Sequence, residues 1–145
     1  MALATPSVIK EEHEELHRLL SKLSAIRGRV GEEARKVEEV LKPHFEKEEE
    51  LALPLLGLLK NIAEEKPVED PQRAAELADK FAAEYEKMLQ EHIEIAKALE
   101  SLETAARRAK KRTVLSFAKN LRRHAKLEEE ILYPAALLIR KSLRT

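Results

Sequence analysis

Two stretches of this chain share one pattern, in which a histidine is followed four residues later by a glutamate and ten residues later by a proline. Both have the form H-x-x-x-E-E-E-φ-x-φ-P, where φ is an apolar residue or tyrosine. Side chains four residues apart lie one above the other on the same face of a helix. Each copy therefore directs an imidazole and a carboxylate at the same place, and two such pairs facing each other would hold metal. The two pairs are His44 with Glu48 and His124 with Glu128.

A further histidine precedes each copy. His13 stands 31 residues before His44, and His92 stands 32 residues before His124. A glutamate comes immediately before each of these two earlier histidines. Internal repetition of this kind indicates one structural unit built twice. The chain therefore reads as two similar helical hairpins, each with one histidine on its first helix and the His-x-x-x-Glu pair on its second.

The predicted apolar faces of the helices carry these four histidines and two glutamates into the interior. A buried carboxylate without a partner is costly, so two carboxylates meeting four imidazoles need a compensating positive charge. A pair of divalent cations supplies it, and imidazole with carboxylate suits iron, manganese or zinc. The two copies contain five other glutamates, and most of them are expected to face solvent. These five are Glu46, Glu49, Glu50, Glu129 and Glu130.

The fifth histidine, His17, follows His13 by four residues and shares its helix face. The equivalent position after His92 in the second repeat is Ala96. We predict that His17 is an additional metal ligand. The alternative is a flanking residue that faces solvent or hydrogen-bonds to a neighbour.

The composition predicts an all-α chain, because only three glycines occur in 145 residues and Glu, Lys, Leu and Ala are abundant. The predicted helices cover about residues 7–27, 32–62, 71–106 and 113–142. Their amphipathic faces and short connections predict an up-down-up-down four-helix bundle, a single domain over residues 1–145. Three prolines fall inside the predicted helices, where each should kink the helix or mark its end: Pro43, Pro54 and Pro134.

The composition of the chain argues against several classes of function. The 27 basic and 27 acidic side chains cancel, which argues against nucleic acid as the main partner. The one basic block, residues 107–112, falls where a helix connection is expected. The absence of cysteine excludes disulfides, thiolate nucleophiles and iron–sulfur clusters. Since the apolar runs are too short to span a bilayer and the N-terminus lacks the features of a signal peptide, we expect a cytoplasmic protein without a membrane partner.

Taken together, the motifs closely resemble the hemerythrin-like family, also called the HHE cation-binding domain, over nearly the whole chain. The resemblance implies a four-helix bundle around a non-haem di-iron centre. It implies two iron ions joined by an oxo or hydroxo bridge, with other divalent metals as alternatives. It also implies a division of the ligands: Glu48 and Glu128 bridge the metals, His92 and His124 cap one of them, and His13 and His44 cap the other.

Two positions depart from the oxygen-carrying members of that family. Those members have a His-x-x-x-His pair on the third helix, whose second position is here Ala96. His17 is placed to replace the missing imidazole, which would leave the open coordination position on the metal capped from the third and fourth helices. The carriers also space histidine and carboxylate one residue further apart on the fourth helix. That spacing would select Glu129, whereas the internal repeat favours Glu128.

These residues support three functional hypotheses. The first is a di-iron protein that binds oxygen or iron for storage, delivery or sensing, with a small diatomic molecule as its ligand. The second is a di-iron oxidoreductase, either an oxidase, a peroxidase or a nitric-oxide-reducing enzyme, whose electrons come from outside the chain. The third is a structural helical bundle without metal. A ferritin-like site is disfavoured because that fold requires Glu-x-x-His on two helices, and this chain has one such pair, Glu14 with His17.

Overall fold

The computed structural model describes residues 4–144. Within that range the regular structure is entirely helical, which confirms the all-α prediction. No helix among these residues is long and apolar enough to cross a bilayer. In chain order the elements are α1 (Ser7–Ser24), α2 (Arg29–Leu51), α3 (Leu53–Leu56), α4 (Leu59–Ala63), α5 (Pro71–Arg108), α6 (Arg112–Leu127), a π-helical segment (Glu128–Leu132) and α7 (Tyr133–Leu143).

The observed helices begin and end close to the predicted residues, except where a proline interrupts the predicted helix. The predicted second helix is divided into α2, α3 and α4, and the predicted fourth helix is divided by the π-helical segment. Pro54 and Pro134 are each the second residue of a new helix, whereas Pro43 lies inside α2 without interrupting it. A proline has no backbone N–H to donate, so the helix must change its hydrogen bonding at that point.

The two proline-associated breaks differ in geometry. After α2, the amides of Leu55, Gly57 and Leu58 bond to the carbonyls three residues earlier, at 3.2, 3.2 and 3.0 Å. Hydrogen bonds that span three residues instead of four wind the chain more tightly than an α-helix. Before Pro134, the amide of Tyr133 instead bonds to the carbonyl of Glu128, five residues earlier, which widens the chain into a π turn. The second break therefore lies directly at a predicted metal ligand.

The long helices pack around a common interior. α1 lies against α2 and α6, and α5 lies against α2, α6 and α7. One apolar cluster contains Leu20, Leu41, Leu99 and Phe117, and a second contains Leu55, Phe81, Met88 and Ile139. Burial of these apolar side chains supplies the main driving force for the fold.

All the buried polar residues except Glu33 lie between the two apolar clusters. Along α5, His92 stands between Met88 of one cluster and Ile95 of the other. Along the last two helices, His124 and Glu128 stand between the same two clusters. The histidines and glutamates thus form one polar layer, and the apolar material on both sides separates this layer from solvent.

Candidate metal centre

Six of the seven predicted site residues are buried. The exposure of these side chains is at most 5% in every case: His13, His44, Glu48, His92, His124 and Glu128. Buried imidazole and carboxylate groups need hydrogen-bond or charge partners, because a polar group removed from water without compensation is costly. The partners of these six residues are mainly one another.

One group of ligand atoms centres on the facing imidazoles of His44 and His92. Their Nε2 atoms lie 3.0 Å apart. The Oε2 atom of Glu48 is 3.5 Å from Nε2 of His44, and the Oε1 atom of Glu128 is 3.1 Å from Nε2 of His92. One ligand atom from each of these four residues lies within 4.8 Å of all the others, so the four could hold one metal ion.

A second group lies beside the first, between α1 and α6. The Oε2 atom of Glu128 is 3.1 Å from Nε2 of His124 and 3.5 Å from Nε2 of His13. These three residues also satisfy the spacing required to hold a metal ion. The two imidazole rings make an edge contact, with centroids 4.9 Å apart.

Both carboxylates reach from one group to the other. Glu128 presents Oε1 to His92 and Oε2 to His124. Glu48 presents Oε2 to His44 and Oε1 to His13, the latter at 3.7 Å from Nε2. Because the two oxygens of each carboxylate face different histidines, this arrangement suits carboxylates that bridge two metals.

The histidines are grouped differently from the pairing that the resemblance implies. That pairing joined His92 with His124 and His13 with His44. In the structure, His44 shares a group with His92, and His13 shares a group with His124. The difference follows from ring orientation, because Nε2 of His44 faces Nε2 of His92 across the α2–α5 interface.

Carboxylates outside the polar layer hold the other ring nitrogen of three histidines. Glu91 lies 2.8 Å from Nδ1 of His44, Glu129 lies 2.9 Å from Nδ1 of His92, and Glu12 lies 2.5 Å from Nδ1 of His124. The sequence motifs assigned no site role to Glu12 or Glu91, and they left Glu129 either as a solvated residue or as the alternative to Glu128. The side chain of Glu129 binds an imidazole while remaining 42% exposed.

These outer carboxylates favour one tautomer of each of the three imidazoles when the ring is neutral. A carboxylate that accepts a hydrogen bond from Nδ1 leaves Nε2 with its lone pair directed inward, which is the arrangement found at histidine–metal sites. The signal was present in the sequence, since Glu12 and Glu91 each directly precede a site histidine. Helical spacing alone does not show which imidazole such a glutamate reaches.

Unpartnered buried atoms test whether the residues fit a metal. Neither ring nitrogen of His13 has a hydrogen-bond partner, and neither does Oε1 of Glu48. Glu49 lies nearest to Nδ1 of His13, at 3.5 Å. A cation between Nε2 of His13 and Oε1 of Glu48 would satisfy both atoms, so the donor set fits a metal ion.

The electrostatics of the layer also favour bound positive charge. Burial and the nearby charge of Glu128 raise the pKa of Glu48 to about 8. Burial lowers the pKa of His44, but its hydrogen bonds to Glu48 and Glu91 outweigh burial and raise the pKa to about 9. The same balance, with Glu128 and Glu12 as partners, raises the pKa of His124 to about 9. Hydrogen bonds from Glu48 and the surrounding histidines instead hold the pKa of Glu128 well below its usual range, so the protons lie on Glu48 and the imidazoles unless another cation replaces them.

Tyr133 closes the layer on the side of the second apolar cluster. Its ring is 1% exposed, and its hydroxyl donates a hydrogen bond to Oε2 of Glu48. The same hydroxyl lies 3.3 Å from Nε2 of His44 and 3.2 Å from Nε2 of His92. Burial and the charge of Glu48 raise the pKa of Tyr133 far above its usual value, so the phenol remains protonated.

His17 lies outside both groups. Its side chain is 37% exposed, and its Nε2 atom is 3.9 Å from Glu49. Its ring contacts the edge of Phe45, which is itself stacked on His13 with centroids 4.0 Å apart. Burial lowers the pKa of His17. The structure thus does not bring His17 into the metal groups, and its role as a ligand stays a prediction.

Ala96 borders a small cavity beside the polar layer. The cavity has a volume of about 270 Å³ and is lined by His92, Leu99, Leu121, Arg122 and Glu129, among others. An imidazole at position 96, as in the oxygen carriers, would have a longer side chain facing this space. The alanine therefore leaves room next to His92.

Comparison with known proteins agrees with the geometry. The family model described as the hemerythrin HHE cation-binding domain matches residues 4–136. No curated protein and no solved structure matches the chain. The matched range contains all six buried ligand candidates and covers most of the 145 residues. The chain therefore belongs to the hemerythrin HHE cation-binding family.

Proposed function

We propose that the polar layer holds two iron ions and that the protein binds a small diatomic ligand, such as oxygen, at this pair. The observation that carries the proposal is that two buried carboxylates, Glu48 and Glu128, each present one oxygen to either group of imidazoles. His44 and His92 would hold one metal, and His13 and His124 the other. Other divalent cations that favour imidazole and carboxylate would compete for the same atoms.

The residues around the layer prepare it for metal. Glu91, Glu129 and Glu12 keep the Nδ1 protons in place, so that the Nε2 lone pairs face inward. The hydroxyl of Tyr133 orients Glu48 by donating to Oε2. Two iron ions, once bound, supply redox-active positions at which a diatomic molecule can coordinate. The apolar clusters on both sides limit the access of water.

The cavity beside Ala96 is the proposed location for the diatomic ligand. It touches His92 and is bordered by the apolar side chains of Ile95, Leu99 and Leu121. A volume of about 270 Å³ accommodates a diatomic molecule without rearrangement of the helices. The sequence placed the open coordination position on a metal held by His92 and His124, whereas the cavity borders His92 in its group with His44.

We also infer that the helices form four antiparallel columns. The first is α1, the second is α2 with α3 and α4, the third is α5, and the fourth runs from α6 to α7. Packing of α1 on α2 and α6, and of α5 on α2 and α6, supports a closed ring of four columns. Each column then contributes one histidine to the polar layer.

The test is to load the protein with ferrous iron without oxygen, count the iron, and record the optical spectrum before and after oxygen is added. We expect two irons per chain and new near-ultraviolet and visible bands. Reversal of the bands under vacuum supports oxygen binding, whereas sustained turnover with an added reductant supports a di-iron oxidoreductase. If no iron binds, and none of the competing divalent metals binds either, the proposal is wrong.

Variants assign the ligands within this test. His44→Ala and Glu48→Ala should both lower the iron content and the melting temperature, because metal binding stabilises the folded state. His17→Ala serves as the matched histidine control outside the two groups. An unchanged iron content and spectrum in His17→Ala would exclude that side chain as a ligand. An unchanged iron content in both other variants would contradict the assignment of the layer.

A further inference from the structure

The two turns at the end of the bundle remote from α3 and α4 border a second cavity, which is open to solvent. It has a volume of about 690 Å³ and lies between the α1–α2 turn and the α5–α6 turn. Its basic lining comes from Arg27, Arg29, Arg108 and Lys111, and its single acidic residue is Glu33. The cavity therefore carries an excess of three positive charges, although the whole chain has a formal net charge of zero.

Most of this positive charge has no partner in the protein. Arg29 lies 3.1 Å from Glu33, which is 3% exposed and also pairs with Lys36. Within residues 4–144, the side chains of Arg27, Arg108 and Lys111 form no ion pair and no hydrogen bond. Unpaired cations collected around a concave surface raise the local positive potential and attract anions.

Each turn fixes the backbone from which its cationic side chains extend. Gly28 adopts φ +86°, which favours glycine, and a Cβ atom on Gly31 would lie 1.6 Å from the carbonyl oxygen of Ile26. The α1–α2 turn is therefore closely packed between Arg27 and the start of α2. At the other turn, Lys110 has φ 56°, and the amide of Lys111 bonds to the carbonyl of Ala106 at 2.9 Å. Such a turn ends α5 in one defined geometry.

We infer that this cavity, which we call the basic cavity, binds a small organic molecule that carries two phosphate groups, such as a nucleoside diphosphate. One phosphate group carries about −1.5 to −2 charges at pH 7, so two groups balance an excess of three positive charges. Three of the four cations in the lining are arginines, and a guanidinium binds phosphate oxygens in pairs.

The remaining lining suits the organic part of such a ligand. Ile26, Val30 and Ala105 supply apolar surface, while Ser101 and Thr104 add hydroxyl groups. The volume lies within the range of about 300–1,000 Å³ that is typical for small-molecule sites. A concave cavity in a chain without net charge favours a small ligand over the extended phosphate backbone of a nucleic acid.

The basic cavity is separate from the metal layer. Arg108 comes 16 residues after His92 along the same helix, which corresponds to about 24 Å along the axis. Ligand binding there therefore requires no contact with the proposed metals, and it can be tested without changing them.

The experiment titrates ADP into the iron-loaded protein by calorimetry. It compares the parent with Arg27→Ala/Arg108→Ala and with a control, Arg73→Ala/Lys80→Ala. The control removes the same charge near the opposite end of α5. All three proteins keep the metal layer, so any phosphate bound to iron contributes equally to each titration.

We expect ADP to bind the parent and the control alike, and to bind the Arg27/Arg108 variant more weakly by about tenfold or more for each arginine removed. If the alanine pair fails to fold, Arg27→Gln/Arg108→Gln replaces it, with Arg73→Gln/Lys80→Gln as control. Equal affinity in all three proteins, or no binding of ADP, overturns the inference. The inference is also overturned if a single-stranded oligonucleotide binds more tightly than ADP and if replacing the same arginines abolishes that binding.

Discussion

Replacement of Glu91 by glutamine tests how the outer carboxylates prepare the metal layer. Glu91 uses both oxygens, because Oε1 accepts from Nδ1 of His44 at 2.8 Å and Oε2 accepts from Lys47 at 2.8 Å. Glutamine keeps the shape and one acceptor oxygen but removes the negative charge. The imidazole of His44 then becomes less basic, and its Nε2 atom becomes a weaker metal ligand.

The expected loss can be stated from the geometry. Outer hydrogen-bond partners of metal-binding histidines are typically worth about 10–100-fold in metal affinity, or about 1.4–2.7 kcal/mol. The bond to His44 is short, and Glu91 is only 21% exposed, so solvent weakens it little. Only one of the two metal groups contains His44. We therefore expect Glu91→Gln to weaken the binding of one metal ion per chain and to leave the other nearly unchanged.

The assay is a competition titration, in which a chromophoric chelator of known affinity competes with the protein for zinc or ferrous iron. The matched control is Glu84→Gln, because Glu84 also pairs with Lys47, at 3.4 Å, but forms no hydrogen bond to an imidazole. The control separates loss of the lysine ion pair from loss of the bond to His44. If the two variants, Glu91→Gln and Glu84→Gln, bind each of the two metal ions of the chain with the same affinity, the reasoning is refuted.

Three further predictions follow from the polar layer and the turns. Tyr133→Phe should destabilise the metal-free protein by about 1–3 kcal/mol in urea unfolding, because the buried carboxyl of Glu48 loses its hydrogen-bond donor, whereas Tyr85→Phe should have little effect. Metal loading should release protons at pH 7 and fewer protons as the pH rises through 9, because His44 and His124 have pKa values of about 9 and bind metal only when neutral. Calorimetry in two buffers measures the number of protons released, and a number that does not change with pH would contradict this prediction. Gly31→Ala should cost about 3 kcal/mol, since its Cβ would lie 1.6 Å from a carbonyl oxygen, and an unchanged melting temperature would show that the turn relaxes freely.

The interior positions could be predicted because helical periodicity determines them. Spacings of three and four residues place His44 with Glu48, and His124 with Glu128, on one helix face, and those faces are buried in the structure. The start of α5 was equally predictable, since Asp70 caps the helix by accepting from the amide of Arg73 at 3.3 Å. In both cases the relevant partners lie within one helical turn.

The outer carboxylates and the position of His17 could not be predicted by the same reasoning. Glu12 directly precedes His13, but its partner His124 is 112 residues away and its side chain is 44% exposed, so its position in the sequence does not show which imidazole it reaches. His17 shares a helix face with His13, yet Phe45 stacks on His13 and meets His17 edge-on. Periodicity identifies the face of a helix, whereas packing between helices decides which side chain on that face reaches the centre.

The repeated glutamate pair acquires a physical explanation from the structure. Glu128 and Glu129 lie at opposite nitrogens of one imidazole, at 3.1 Å from Nε2 and 2.9 Å from Nδ1 of His92. In the other copy, the equivalent glutamates lie at 3.7 and 3.5 Å from the two nitrogens of His13.

The two copies differ in their backbone at these glutamates, since Glu128 and Glu129 begin the π-helical segment, whereas Glu48 and Glu49 lie inside α2. A π turn changes the direction of successive side chains, and such turns are frequent at functional sites. The sequence is the same at these two positions in both copies, so the closer contact in the second copy does not come from the type of the two acidic residues. His13, held less closely, is also the imidazole whose nitrogens lack hydrogen-bond partners, and it therefore has the most to gain from a bound metal.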